Sequence, residues 1–103
     1  MAQYTNITTN SNSHVTTLLT GGNVSIVNRL IVCNNDSLPA RDVDIYIENA
    51  AGVKHYFIKG LDIPVSTSFE LENITFDAAR FDLKILTNQD SGSGAPNITV
   101  IIQ

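Results

Sequence analysis

Among 103 residues there is one cysteine, no tryptophan, two histidines and three prolines. A lone Cys33 cannot close a disulfide within the chain, so stability must come from a packed core or from partners. Cys33 reads as a small apolar residue in a strand, since a nucleophile would need an activating base. His14 and His55 lie far apart and have no His or Cys neighbours, so no zinc site is expected. Charge is sparse as well: 16% of residues are charged and the net charge is −4. The six cationic residues, Arg29, Arg41, Lys54, Lys59, Arg80 and Lys84, are scattered. No basic stripe exists to neutralise phosphates, so neither nucleic acid nor an anionic membrane surface is an expected partner. No stretch approaches the ~20 apolar residues that a membrane-spanning helix requires. Residues Met1 to Ser13 carry neither a basic start nor an apolar run, so classical secretion is not expected.

What the chain does contain is a series of short strand-like runs, each closed by a turn signal. In Asp42 to Glu48, Val43, Ile45 and Ile47 fall on one face, and Asp42, Asp44 and Glu48 on the other. That period of two is the mark of a half-buried strand. Tyr46 shares the polar face, where its ring is expected to lie half exposed. His14–Thr20 and Val24–Asn34 read as earlier strands separated by Gly21-Gly22-Asn23. Leu30-Ile31-Val32-Cys33 is a near-continuous apolar run, which suits a strand covered on both faces or one lying in an oligomer interface. Val53–Lys59 pairs with Asp42–Glu48 as a hairpin through Asn49–Gly52, and Gly60 breaks it before Leu61-Asp62-Ile63-Pro64. Ser68–Glu72, Phe81–Thr87 and Asn97–Gln103 alternate again, and Asp77–Arg80 fits one helical turn or a tight bend. The stretches Asn34–Ala40 and Asn88–Pro96 have loop composition. About seven to eight strands at this spacing, without helical crossovers, predict an all-β antiparallel β-sandwich, jelly-roll or Ig-like. The expected organisation is one such domain over residues 14–103. Residues 1–13 read as an N-terminal arm or loose edge segment, either frayed or ordering on a neighbouring subunit.

No reaction is proposed by these residues. Gly-x-Ser-x-Gly and the phosphate-cradling Gly-x-x-x-x-Gly-Lys are missing. Ser91-Gly92-Ser93-Gly94 has linker composition. Asp42-Val43-Asp44 has the first spacing of a calcium loop but runs into a strand in place of a glycine turn, so its carboxylates read as a solvated sheet face. The expectation is a non-enzyme without metal or cofactor. Five Asn-x-Ser/Thr sequons, at Asn6, Asn23, Asn35, Asn73 and Asn97, fit chance in a chain so rich in Asn and Thr. Tyr4, Tyr46 and Tyr56 could stack on sugars or pack at an interface.

The order of these features resembles small β-sandwich virion proteins of tailed bacteriophages, especially those of marine and cyanobacterial phages. The resemblance runs from about Val15 to Ile102. It rests on the strand ending Leu30-Ile31-Val32-Cys33-Asn34, the alternating Val43–Ile47, Tyr56–Lys59 and Leu61-Asp62-Ile63-Pro64. Phe69-Glu70-Leu71 and Phe81–Ile85 complete it. The family's Gly-Asp before its penultimate strand is replaced here by Arg80. The resemblance implies a capsid decoration (cement) protein that binds the outer shell of a virion and stabilises it by many repeated contacts. It implies the major capsid protein or other virion proteins as partners, assembly in the host cytoplasm, and a homo-oligomer, often a trimer. Expected partner contacts are Tyr4, Ile7, Asn34, Asn35, Leu38, Tyr46 and Tyr56. A tail, neck or fibre-associated protein and a carbohydrate-binding sandwich with a face around Tyr46 and Tyr56 are the alternative readings.

Overall fold

A computed structural model describes residues 3–8, 14–20, 26–35, 40–88 and 97–103. Eight strands fill these segments: β1 (Gln3–Ile7), β2 (His14–Leu19), β3 (Ile26–Asn34), β4 (Ala40–Asn49), β5 (Lys54–Ile63), β6 (Ser68–Thr75), β7 (Phe81–Asn88) and β8 (Ile98–Ile102). The first sheet has the order β1-β8-β3-β6 and the second β2-β7-β4-β5. Every pairing is antiparallel. Only β4 and β5 are neighbours both in sequence and in a sheet; each other connection passes from one sheet to the other. Two four-stranded sheets wound in this order form a jelly roll, which decides between the two sandwich types the sequence allows.

The alternating strands supply the core. Val43, Ile45 and Ile47 of β4, Leu83 and Ile85 of β7, and Ile98, Val100 and Ile102 of β8 all point between the sheets and are buried. Leu30 and Val32 of β3 join them with no exposed surface. The β4–β5 hairpin closes as its sequence predicts. Asn49 Oδ1 accepts the Ala51 N–H at 3.0 Å and the Val53 N–H at 2.9 Å, and Gly52 takes a φ of +84° that favours glycine.

Three expectations are corrected, and one pair of alternatives is decided. Of the arm or loose edge segment expected, residues 3–7 take the edge, and as a regular strand: they form β1, paired with β8 from Gln3 opposite Ile102 to Ile7 opposite Ile98. Ile7 is 2% exposed and belongs to the core. Gly60 does not end its strand. It lies inside β5 at φ +70°, where the β4–β5 register shifts, and Asp44 Oδ1 accepts its N–H at 2.7 Å. A glycine in a strand interior marks such a bulge. Residues Asp77–Arg80 form a tight bend, with Asp77 O accepting the N–H groups of Arg80 and Phe81 at 3.1 Å and Asp77 Oδ1 that of Ala79 at 3.2 Å. The strand at Ser68 continues past Glu72 to Thr75 through a left-handed Asn73 (φ +55°). The expected turn at Gly21–Asn23, the centre of the loop after Asn34 (36–39, with Leu38) and most of the 88–96 loop lie outside the described residues.

Candidate functional site

With the core packed between the sheets, any function falls to the two outer faces, the edges and the loop ends. The second sheet's outer face is mostly polar and internally bonded, with Val15, 42% exposed, beside Leu86 as an apolar pair. Across it, register places Thr17 beside Lys84, Lys84 beside Tyr46 and Tyr46 beside Tyr56. Tyr46 is 2% exposed, not half exposed as its polar-face position predicts. The Tyr56 ring packs on it at 5.3 Å between centroids, and the Lys54 ammonium lies 5.5 Å from its ring centre. Tyr56 is itself engaged by Lys59, 4.3 Å from its ring centre. Burial pushes the Tyr46 phenol above its ordinary pKa, with Glu48 adding to the shift.

Lys84 donates to Glu48 Oε1 at 2.8 Å, and both side chains are mostly covered. This hydrogen bond is the main cause of a raised Lys84 pKa, working against partial desolvation. Beside the pair, Asn49, Ala50, Gly52, Ala79, Arg80 and Asp82 enclose an open recess of about 460 Å³ at the end of the sheet. A lysine whose folded pKa is raised adds stability that is complete below the unfolded value and is lost as pH rises through the folded value. Tyr46 acts in the same direction. Urea-unfolding midpoints are therefore expected to hold near neutrality and fall from about pH 10 upward, where both groups titrate in the unfolded chain. Lys84→Met should flatten part of that alkaline fall, and an unchanged profile would remove the pair as its source.

Two of the carboxylates read as a solvated face are engaged, Asp44 by a backbone N–H and Glu48 by a lysine. Asp44 caps the bulge at Gly60, Asp62 Oδ1 accepts the Asp42 N–H at 3.1 Å where Asp42 takes φ +51°, and Glu48 holds Lys84. Among the described residues no group of three or more His, Cys, Asp or Glu converges on a metal position. No helix there is long and apolar enough to cross a membrane.

The first sheet's outer face differs. One row runs Tyr4, Ile101, Ile31, Glu70 across β1, β8, β3 and β6; the next runs Asn6, Thr99, Cys33, Ser68. Tyr4 is 71% exposed, and Ile31, Ile101 and Cys33 are partly buried. The apolar run of β3 thus has Leu30 and Val32 in the core while Ile31 and Cys33 look outward with no described layer over them. Side-chain hydrogen bonds tie the polar row together. Thr99 Oγ1 donates to Asn6 Oδ1 at 2.9 Å and accepts from Asn35 Nδ2 at 2.7 Å, and Cys33 Sγ lies 3.3 Å from Asn35 Oδ1. At the β6 side Arg29 pairs with Glu70. Its hydrogen bond holds the Glu70 carboxyl below the usual range, though both partners are solvated and so add little stability.

Of the expected contact residues, Tyr4 and Asn35 lie on this face and are exposed, and Tyr56 lies on the other, 41% exposed. Ile7, Asn34 and Tyr46 are buried within the domain and offer a partner no surface. Asn34 is spent on the fold: its Nδ2 donates to Ile63 O at 3.1 Å and Pro64 O at 3.4 Å. The expected contact residues omit Ile31 and Ile101, although the apolar run that holds Ile31 suits an oligomer interface. The signal was present in each as an apolar residue facing away from its own strand's core positions.

A scan against family models finds no match, and neither does a search of curated proteins. A search of solved structures does find similar chains. A crystal structure of PirA is similar over 98% of this chain and 91% of that one, at 10% identity and a TM-score of 0.59, a likeness of fold alone. A structure of infectious bursal disease virus, Gx strain, is similar over 98% of this chain at 13% identity with a TM-score of 0.42, and a mutant VP2 protein of that virus in T=1 particles over 99% at 12% and 0.41. The chain spans 32% of each of those viral chains, and similarity at that level bears no weight on function.

Proposed function

We propose that this chain is a virion structural protein, a capsid decoration protein of a tailed bacteriophage that lays the outer face of its first sheet on the major capsid protein lattice. The observation that carries the reading is the outward apolar side of β3 and β8, where Ile31 and Ile101 stand partly exposed beside the exposed Tyr4 on a hydrogen-bonded face. Aromatic and aliphatic residues at the centre of a low-charge patch are the composition of a protein interface. Among the described residues, Asp44 is engaged at a bulge, Glu48 and Glu70 in ion pairs, and Asn34 on the end of β5. The order of sequence motifs resembling phage virion β-sandwiches supports the choice of partner. Each contact is modest, and repetition over the shell supplies the strength.

The carbohydrate reading loses its platform. It needs Tyr46 and Tyr56 side by side and open, whereas Tyr46 is covered and Tyr56 already packs on Tyr46 and Lys59.

The test is saturable co-sedimentation with undecorated capsids of the cognate phage. Wild-type chain is expected to bind. Ile31→Glu, which buries a carboxylate at the centre of the contact, is expected to weaken binding at least about tenfold with an unchanged circular dichroism spectrum. Failure of the wild type to bind at any salt concentration overturns the proposal.

A further inference from the structure

A jelly roll of two open sheets has four edge strands, and an exposed edge invites pairing unless something blocks it. Three of the four are blocked. β2 is bulged between Thr17 and Leu19. β5 breaks register with β4 at three places, carries Lys54 and Lys59 and takes the left-handed turn at Gly60. β6 presents Glu70 and Glu72 and the left-handed Asn73. β1 has none of these devices. Its sequence, Gln-Tyr-Thr-Asn-Ile, holds no charge, glycine or proline, and its register with β8 is unbroken over all five residues. β8 behind it is uncharged too. No described strand lies on its free side.

We infer that β1 is a self-pairing edge: two copies of the chain join β1 to β1, antiparallel about a two-fold axis, fusing their first sheets into one. The charge pattern selects a second copy as the occupant. A two-fold axis sets each edge against itself, so a charged edge repels its own copy, whereas an uncharged one meets its copy without repulsion. β1 and β8 form such a surface. Full overlap of the five residues places Thr5 at the axis and sets Tyr4 of one copy beside Asn6 of the other on the outer face. The pairing does not depend on capsid binding, although it would set two lattice-binding faces side by side.

The test uses the full chain with no capsid present. Sedimentation velocity over roughly 1 to 200 µM, a range that brackets so small an interface, is expected to show a concentration-dependent dimer. Tyr4→Lys places an ammonium on the edge at an exposed position and is expected to weaken the dimer at least about tenfold. Antiparallel partners at the axis have Cα atoms about 4.5–5.5 Å apart, within disulfide reach. Thr5→Cys in a Cys33→Ser background is therefore expected to give a covalent dimer with oxidised glutathione. A chain that stays monomeric throughout, a dimer of undiminished strength in Tyr4→Lys, or a dimer that Thr5→Cys does not cross-link overturns the inference.

Discussion

Removing the first eight residues is expected to abolish cooperative folding. An arm could be cut away without loss, but β1 is one of only two strands flanking β8 and it contributes Ile7 to the core. Loss of a buried isoleucine side chain alone costs about 2–5 kcal/mol. Each lost ladder hydrogen bond costs roughly 0.5–1.5 kcal/mol more. Together these approach the whole net stability of a small domain, about 5–15 kcal/mol. Losing the strand also turns β8, an uncharged and largely aliphatic run, into a bare edge prone to pair with other chains. The truncated chain should therefore show no sigmoidal urea transition and should aggregate on concentration, while Ile7→Ala in the full chain should keep a transition shifted to lower urea. A truncation that unfolds with the same midpoint and slope as the intact chain would return residues 3–7 to the status of an arm.

Why β1 is hard to read from sequence follows from what makes it a strand. β4, β7 and β8 announce themselves because their burial is written locally, as alternation of aliphatic and polar residues. Gln3-Tyr4-Thr5-Asn6 has no such alternation. Its inward positions are Gln3 and Thr5, and only Ile7 is aliphatic. Gln3 is tolerated inward because its Nε2 donates to Leu18 O at 2.7 Å across the sheet-to-sheet gap. The strand exists because β8, more than ninety residues away in sequence, offers it a ladder. Gly60 is a different case, with the signal present: alternation resumes on the far side of the glycine, which marks a bulge and not an end.

Tyr46 lies between these cases. Its polar-face position is legible, and so is its cover. If Glu48 and Lys54 close the hairpin, counting back two residues on each strand sets Tyr46 opposite Tyr56. Aromatic cross-strand neighbours pack on each other. The other half of its cover, Lys84, comes from β7 and depends on strand order that no local pattern encodes. The outer face of the first sheet was legible only as a question. Leu30 to Cys33 calls for cover on both sides, and the fold provides it on one.

Asn34 shows the limit most sharply, and its replacement should have a large effect. An asparagine ending an apolar run reads as the start of an exposed loop, yet it is 1% exposed. Its backbone N–H donates to Thr67 O at 2.9 Å, and its side-chain amide donates to the carbonyls of Ile63 and Pro64. One residue at the end of β3 thus fastens the first sheet to the end of β5 and to the turn that leads into β6. Two of the sequence elements carrying the virion resemblance, the strand ending in Asn34 and Ile63-Pro64, touch each other here. Asn34→Ala leaves buried carbonyls without their donor, at about 1–3 kcal/mol, and empties the space the amide filled. At roughly 4–8 °C per kcal/mol for a domain of this size, the melting temperature should fall by about 10–20 °C. Asn34→Asp nearly preserves the shape and tests the chemistry. A protonated carboxyl can still donate one hydrogen bond, whereas a carboxylate faces two carbonyl oxygens with nothing to donate. Its folded pKa should be raised above the unfolded value of about 3.9. Stability should then be best in acid and fall as pH rises from that value toward the folded one. A variant whose melting temperature tracks the wild type from pH 4 to 7 would show that the amide protons do not hold the two sheets together.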